Sequence, residues 1–232
     1  MSPKYRFAAA AALAALTLSA TPPASAGSVS EIVHGLMGPS VTGSGVIKTQ
    51  ARKLDGFDVI ESKGSIDLDV KLGSEYSVVV EADDNLFDVI RTEVDGDSLV
   101  IDSKGSWTSK HDTVVHVTLP KLLALGVQGS GDARIHDYSG DKLGVKIQGS
   151  GDVVANGQAA RLHLVIQGSG DADFSKLTAD EVLVRVDGSG DAKVNAAKSI
   201  EATIHGSGDV TWSGNASDVN SEVYGSGELI HK

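Results

Sequence analysis

The residues best placed to do chemistry in this chain are six acids, each of which follows a Gly-Ser-Gly tripeptide. Copies of this motif begin 18 to 20 residues apart. The acids are Asp132, Asp152, Asp171, Asp191, Asp209 and Glu228. If stacked, carboxylates would repel one another by about 1 kcal/mol per contact in water. Two uses therefore suit such an acidic ladder: accepting hydrogen bonds from backbone N–H groups, or binding calcium.

The glycines around these acids favour the structural use. Glycine is needed where a chain turns with positive φ or where stacked backbones approach closely, and an aspartate beside such a corner can cap backbone N–H groups. Calcium-binding β-rolls also repeat Gly-x-Gly-x-Asp, but with a period of about nine residues, whereas here the period is 18 to 20. We interpret the motif as a structural corner and keep calcium as the alternative; no other cofactor is indicated.

A second repeating column lies directly before each motif. Its members are Gln128, Gln148, Gln167, Asp187, His205 and Tyr224. Consecutive glutamines predict an amide ladder that hydrogen-bonds from one repeat to the next, as in stacked β-structure. The same stripe is a candidate carbohydrate-binding surface, and the aromatic residues available to it are Trp107, Tyr138 and Tyr224. Trp212, by contrast, has inward parity.

Aliphatic residues with a period of two surround the motifs and define the elements that must position these columns. Around Gly149, for example, Val145 and Ile147 precede the corner and Val153 follows it. Such alternation predicts half-buried strands. A repeat of strand, corner, strand and variable turn fits one coil of a solenoid. We therefore predict an all-β fold, a single-stranded parallel β-helix with 18–20-residue coils, with an antiparallel sandwich as the alternative.

The first 26 residues have the features of an export signal. Lys4 and Arg6 precede an Ala/Leu-rich stretch, and Ala24-Ser25-Ala26 forms a small-residue cleavage site. The apolar stretch is too short to span a bilayer, so no integral membrane segment is expected after cleavage. The predicted domains are a signal peptide over 1–26, a Ser/Gly-rich tether over 27–50 and a β-helix domain over 51–232. Within that domain, 51–126 form irregular coils and 127–232 form the six repeats.

Charge and composition exclude several functional classes. The net formal charge is −11, and removal of the two cations in 1–26 makes it −13, which disfavours nucleic acid as a partner. The chain has no cysteine, so no disulfide framework is available. It contains neither a Gly-x-Ser-x-Gly nucleophile elbow nor a phosphate-binding loop. We therefore expect that this protein is not an enzyme.

The Gly-Ser-Gly-acid repeat behind an export signal resembles the head GIN domain family of putative auto-transporter adhesins. The resemblance extends over about 50–228 and includes the strand patterns at 57–60 and 64–70 and the Leu119-Pro120 pair. It implies a right-handed parallel β-helix in a bacterial envelope or secreted protein, located in the periplasm, at the cell surface or outside the cell. The resemblance implies no catalytic residues.

The functional hypothesis is an exported, non-enzymatic scaffold that binds envelope polysaccharide or a surface protein along the sides of its β-helix. One alternative is a polysaccharide-acting enzyme, because lyases and hydrolases also use parallel β-helices. Another is a calcium-binding or self-assembling envelope protein. Self-association would use the strand edge of the last coil, 222–230, since an unpaired edge is a template for further pairing.

Overall fold

A computed structural model describes residues 40–232, so the predicted signal peptide and residues 27–39 lie outside the described part. Between residues 40 and 232 every regular element is a strand. The strands are β1 Val41–Thr42, β2 Ile47–Arg52, β3 Val59–Gly64, β4 Asp67–Leu72, β5 Ser77–Asp83, β6 Ile90–Asp95, β7 Ser98–Ser103, β8 Trp107–Thr108, β9 Val114–Leu119, β10 Ala124–Gly129, β11 Ala133–Gly149, β12 Val153–Gly168, β13 Ala172–Gly188, β14 Ala192–Gly206, β15 Val210–Ser213, β16 Asp218–Gly225 and β17 Leu229–His231.

The described chain winds into a parallel β-solenoid of about five turns, and its most regular part is the four long strands β11 to β14. Each pairs in parallel with the next, and the first glycines of successive motifs stand opposite one another. After β14, the chain completes the stack with β16 on the second half of that strand and β15 on its first half, and β17 then pairs with β15. The predicted parallel β-helix is confirmed.

The core is the stack of aliphatic columns that alternation predicts. Ile147, Ile166 and Val186 stand in register in adjacent coils and are fully buried. Trp212, whose parity also points inward, is buried as expected. The last coil departs from this pattern, because Val219 and Val223 continue the inward columns but remain 45% and 42% exposed. Among the described residues, β16 has a neighbouring strand on one side only.

The coils before residue 120 do not stack in the order of the sequence. β3 and β4 lie in the middle, with β10 and β11 on one side and β7 and β9 on the other. Beyond β7 and β9 the pairing becomes antiparallel, with β6 on β7, β5 on β9 and β2 on β5. The region predicted as irregular coils thus continues the solenoid for two coils and then closes its end with antiparallel strands.

Strand pairing begins inside the range predicted as a tether. Residues 41–42 form β1, which pairs with β8, and β2 starts at residue 47. The pairing of β2 with β5 attaches this segment to the domain. In the part of the chain from residue 40 onward, none of the elements is a helix of the length and apolarity needed to cross a membrane.

Candidate functional site

The corner of each coil requires glycine for steric reasons. At the first glycine φ is strongly positive, for example 133° at Gly149, and a Cβ there would lie 2.3 Å from the carbonyl oxygen of Gly129. At the second glycine a Cβ on Gly151 would lie 2.1 Å from the carbonyl oxygen of Gly131. No side chain fits at such distances, so the coils can stack at 18–20-residue intervals only if both positions remain glycine.

The six acids form one continuous ladder of hydrogen bonds between coils. Oδ1 of Asp132 accepts the backbone N–H of Asp152 at 2.9 Å, and Oδ1 of Asp152 accepts the N–H of Asp171 at 2.8 Å. The same contact recurs at 2.8–2.9 Å through the remaining steps, Asp171 to Asp191, Asp191 to Asp209 and Asp209 to Glu228. Each aspartate therefore caps a backbone N–H of the next coil, instead of one in its own turn.

Asp67 extends this ladder by one residue that lies outside the six Gly-Ser-Gly-acid motifs. Its Oδ1 accepts the N–H of Asp132 at 2.8 Å. It follows Gly64-Ser65-Ile66, so the motif is intact except for the second glycine; the shared Gly-Ser-x-Asp spacing is the signal that could have found it. Burial raises the pKa of the Asp67 carboxyl, while the hydrogen bond from Asp132 opposes that effect.

The geometry of the ladder limits the number of carboxylate oxygens that are available to bind calcium. Each coil contributes one carboxylate, and one oxygen of each aspartate from Asp132 to Asp209 is already occupied by a backbone N–H. Within residues 40–232, no group of three or more histidine, aspartate or glutamate side chains converges so that it could hold a metal ion. Calcium binding by the acidic ladder stays a prediction that needs direct measurement.

The column before the corners lies on a different side of the solenoid, which we call the glutamine face. This face consists of the outward-facing residues of the segments that end at each corner, 59–63, 124–128, 142–148, 161–167, 181–187, 199–205 and 218–224. The predicted amide ladder is present between Gln148 and Gln167, where Nε2 of the first donates to Oε1 of the second at 3.0 Å.

Further along this column the polar contacts change in character. Arg185 Nε lies 2.8 Å from Asp187 Oδ2, and this hydrogen bond lowers the pKa of the Asp187 carboxyl. His205 Nδ1 lies 3.1 Å from Asp187 Oδ1, a close contact without hydrogen-bond alignment. The ring of His205 then stacks on Tyr224, with the centroids 4.9 Å apart. The column thus runs from amides to a charged and aromatic end.

Two glycines on the glutamine face are not required by the fold. At Gly126 and Gly144 the backbone has no positive φ, and a Cβ would meet no atom nearer than 3.8 Å and 3.6 Å respectively. With the neighbouring Ala124, they form the floor of a shallow apolar recess. A glycine inside a strand weakens it and often marks a place where another molecule approaches the backbone. This recess is therefore a candidate binding surface, which periodicity alone did not reveal.

A second depression lies on the same face, next to the recess. His163 lines both of them. Its charged lining changes sign along the solenoid axis, from Lys142 and Arg161 to Glu181 and then Asp218, which occupy one register column. Together, the two depressions form a groove along the glutamine face with both donors and acceptors at its edges.

The aromatic candidates for sugar stacking are placed very differently by the structure. Tyr138 is only 2% exposed, and its hydroxyl donates toward the carbonyl oxygens of Lys142 at 2.7 Å and Leu122 at 3.2 Å, so the proposal that it stacks on a sugar is wrong. Tyr224 is 60% exposed at the end of the stack. Trp107 is half-buried and lines a polar cavity away from the glutamine face.

Several solved structures share this fold. A putative adhesin from Bacteroides fragilis has a TM-score of 0.69 at 22% identity, over 83% of this chain and 100% of its own. A putative adhesin from Parabacteroides distasonis has a TM-score of 0.55 at 21% identity, and a putative lipid binding protein from the same species has 0.53 at 22%; each match covers 84% of this chain and 100% of theirs. These likenesses establish the fold only.

A sequence comparison with protein families establishes the family of this chain. No protein with a curated description matches the chain at a significant level. The model of the family described as "Putative auto-transporter adhesin, head GIN domain" matches residues 56–216, well over half of the chain. This match agrees with the coils, corners and acidic ladder described above, and the chain belongs to the putative auto-transporter adhesin, head GIN domain family.

Proposed function

We propose that this protein is an exported, non-enzymatic scaffold that binds an extended envelope polysaccharide along the groove of its glutamine face. The observation that carries the proposal is the pair of glycines, Gly126 and Gly144, which no backbone strain or packing contact requires. Without side chains at these positions, a polymer can lie directly against the sheet. The adhesin description of the family supports a role in binding at the cell surface.

The groups around the recess suit a polyhydroxylated ligand. Gln128 and Gln148 flank the recess, and a glutamine amide offers a donor pair and an acceptor, as sugar hydroxyls do. Lys146 and His163 add further donors. A protein partner would instead call for large buried anchors such as tryptophan or tyrosine. In the described part of the chain the recess contains no such anchor, and what supports a glycan over a surface protein is the match between its amide, amine and imidazole groups and sugar hydroxyls.

The decisive test fills the recess without disturbing the fold. In Gly144→Gln, the new side chain would project outward between Ala124 and His163. Because a Cβ meets only ordinary contacts here, and because glycine in a strand costs roughly 0.5–1 kcal/mol relative to alanine, the variant should be at least as stable as the parent. Binding to an envelope polysaccharide should nevertheless weaken about tenfold, equivalent to roughly 1.4 kcal/mol.

The experiment retains the purified full chain on a panel of bacterial envelope polysaccharides and measures released sugar in the same samples. The matched control is Val154→Gln, an outward position that is 44% exposed on another side of the solenoid, and it should bind like the parent. Equal retention of Gly144→Gln and the parent would contradict binding in the groove. New reducing ends or unsaturated sugars would contradict the non-enzymatic role and favour the polysaccharide-acting enzyme.

A further inference from the structure

Basic side chains surround the recess on the glutamine face. Lys142 and Lys146 lie two residues on either side of Gly144 on the same strand, and His163 stands beside Gly144 in the next coil. Arg161 is in register with Lys142. Strand spacing places these four positions roughly 5–8 Å from Gly144. All four side chains are exposed and line the groove, so this basic cluster converges on a position that has no side chain.

The protein itself does not neutralise the basic cluster. Between residues 40 and 232, no carboxylate oxygen lies within 4.0 Å of the side-chain nitrogens of these four residues. Other cations of the same face are paired, Lys63 with Glu61 at 3.9 Å and Arg185 with Asp187 at 2.8 Å. In a chain with a net formal charge of −11, the cluster is a local excess of positive charge that composition does not explain.

The opposite end of the groove carries the opposite charge. Glu181 is in register with Arg161 one coil further on, and Glu201 and Asp218 lie beyond it. All three acids line the groove. Carboxylates accept hydrogen bonds from sugar hydroxyls but repel a second anion. Leu183, between them, is 38% exposed and offers an apolar contact for a sugar ring. The groove therefore suits an anionic group at the recess and neutral sugars beyond it.

We propose that the groove selects an acidic polysaccharide whose anionic groups are widely spaced, and that the basic cluster binds one of these groups at the recess. This inference rests on the proposed function, because it names the class of polysaccharide for the same groove. The anionic group is a uronic acid carboxylate or a phosphate ester, since arginine and lysine donate charge-assisted hydrogen bonds to both. A polymer with an anion on every sugar fits less well, because it would place anions beside Glu181 and Glu201.

The test measures binding of the full chain to soluble polymers by isothermal calorimetry. Deacylated gellan has one uronic acid in each tetrasaccharide repeat, the same gellan after reduction of its carboxyl groups is neutral, and polygalacturonate has a carboxylate on every sugar. We expect gellan to bind at least about tenfold more tightly than reduced gellan, as for loss of a charged hydrogen bond, and more tightly than polygalacturonate. Glucuronate and inorganic phosphate, added as competitors of gellan, show which anionic group the cluster prefers.

Charge variants assign the selection to particular residues. Arg161→Gln should weaken gellan binding about tenfold and leave reduced gellan unchanged, whereas a merely structural role would affect both polymers. Glu181→Gln should improve the binding of polygalacturonate, because it removes the acid nearest to Arg161. The matched control is Lys193→Gln, which removes an exposed cation on another side of the solenoid and should bind gellan like the parent.

The outcomes separate this inference from the proposed function. If gellan and reduced gellan bind equally and Gly144→Gln weakens both, the groove binds glycans without selecting charge, and only the inference fails. If neither Gly144→Gln nor Arg161→Gln changes gellan binding, both fail. Absence of gellan binding, tighter binding of polygalacturonate than of gellan, or equal losses in Lys193→Gln and Arg161→Gln would also overturn the inference.

Discussion

The acidic ladder makes a sharp prediction at its middle rung, Asp171. Its Oδ1 accepts the N–H of Asp191 at 2.8 Å. Asp171→Ala and Asp171→Asn both remove the negative charge, and both relieve repulsion from the carboxylates one coil away, which lie at the spacing of about 4.8 Å between strands. They differ in one respect, because only asparagine keeps an oxygen that can accept the N–H of Asp191.

The difference between the two variants therefore isolates the hydrogen bond. A neutral hydrogen bond contributes about 0.5–1.5 kcal/mol to the free energy of unfolding. We expect Asp171→Asn to be more stable than Asp171→Ala by about 1 kcal/mol, which in a domain of this size corresponds to roughly 2–4 °C in melting temperature. Asparagine exchanges a charged hydrogen bond, which contributes about 1.5–3 kcal/mol, for a neutral one. It also relieves about 1 kcal/mol of repulsion in water from each of the two neighbouring carboxylates. These two effects offset each other, so the asparagine variant should be close to the parent in stability.

Urea denaturation of both variants, with and without calcium, provides the assay. Asp141, an exposed acid outside the ladder, gives the matched pair Asp141→Ala and Asp141→Asn, which should not differ measurably. Equal stability of the two Asp171 variants would refute the capping role of the ladder. A rise in the stability of the parent with calcium, lost in both Asp171 variants, would instead show that the ladder holds the ion.

Three other predictions follow from burial and exposure. Ile166→Ala should lower the free energy of unfolding by about 2–5 kcal/mol, since Ile166 is fully buried; a loss near zero in urea denaturation would mean that the inward column is misassigned. Burial, aided by the charge of Asp141, raises the pKa of Tyr138 to about 12, so an unfolded tyrosine ionises first and stability should fall as the pH rises from about 10 towards 12. Spectrophotometric titration should show this late tyrosine and its loss in Tyr138→Phe, whereas a single step near the ordinary pKa would contradict the burial. The exposed edge of β16 predicts self-association, so Val223→Lys should convert a concentration-dependent oligomer to monomer in sedimentation velocity; an oligomer that survives the substitution would argue against this edge.

The repeats from 127 onward could be predicted because the same steric constraint, close backbone contact between stacked corners, applies in each coil. Two glycines are needed wherever one corner stacks on another, and the aliphatic columns then follow by period two. Ile66 occupies the place of the second glycine because its neighbouring coil turns through the loop 104–113 and has no glycine corner. Because isoleucine replaces the second glycine, Gly64-Ser65-Ile66-Asp67 does not match the Gly-Ser-Gly-acid motif, and Asp67 could not be found by that motif.

Other features depend on contacts that no local pattern encodes. The order of the coils before residue 120 is set by pairings between distant strands, such as β7 on β3. Tyr138 is buried because the backbone at Asp137 is left-handed, with φ of 47°, and the register shifts between Ile135 and Tyr138. This irregularity reverses the parity of the strand. The recess at Gly126 and Gly144 emerges only when the outward neighbours are known.

Carbene footprinting of the full chain, bound to the polysaccharide that retains it, tests the central claim most directly. If the polymer lies along the glutamine face, labelling should fall at His163 and Leu183, which line the groove. Labelling should be unchanged at Val154 and Ile230, which lie in one register column on another side of the solenoid. Protection of Val154, or no protection at His163 and Leu183 despite saturating ligand, would contradict the binding face proposed for this protein.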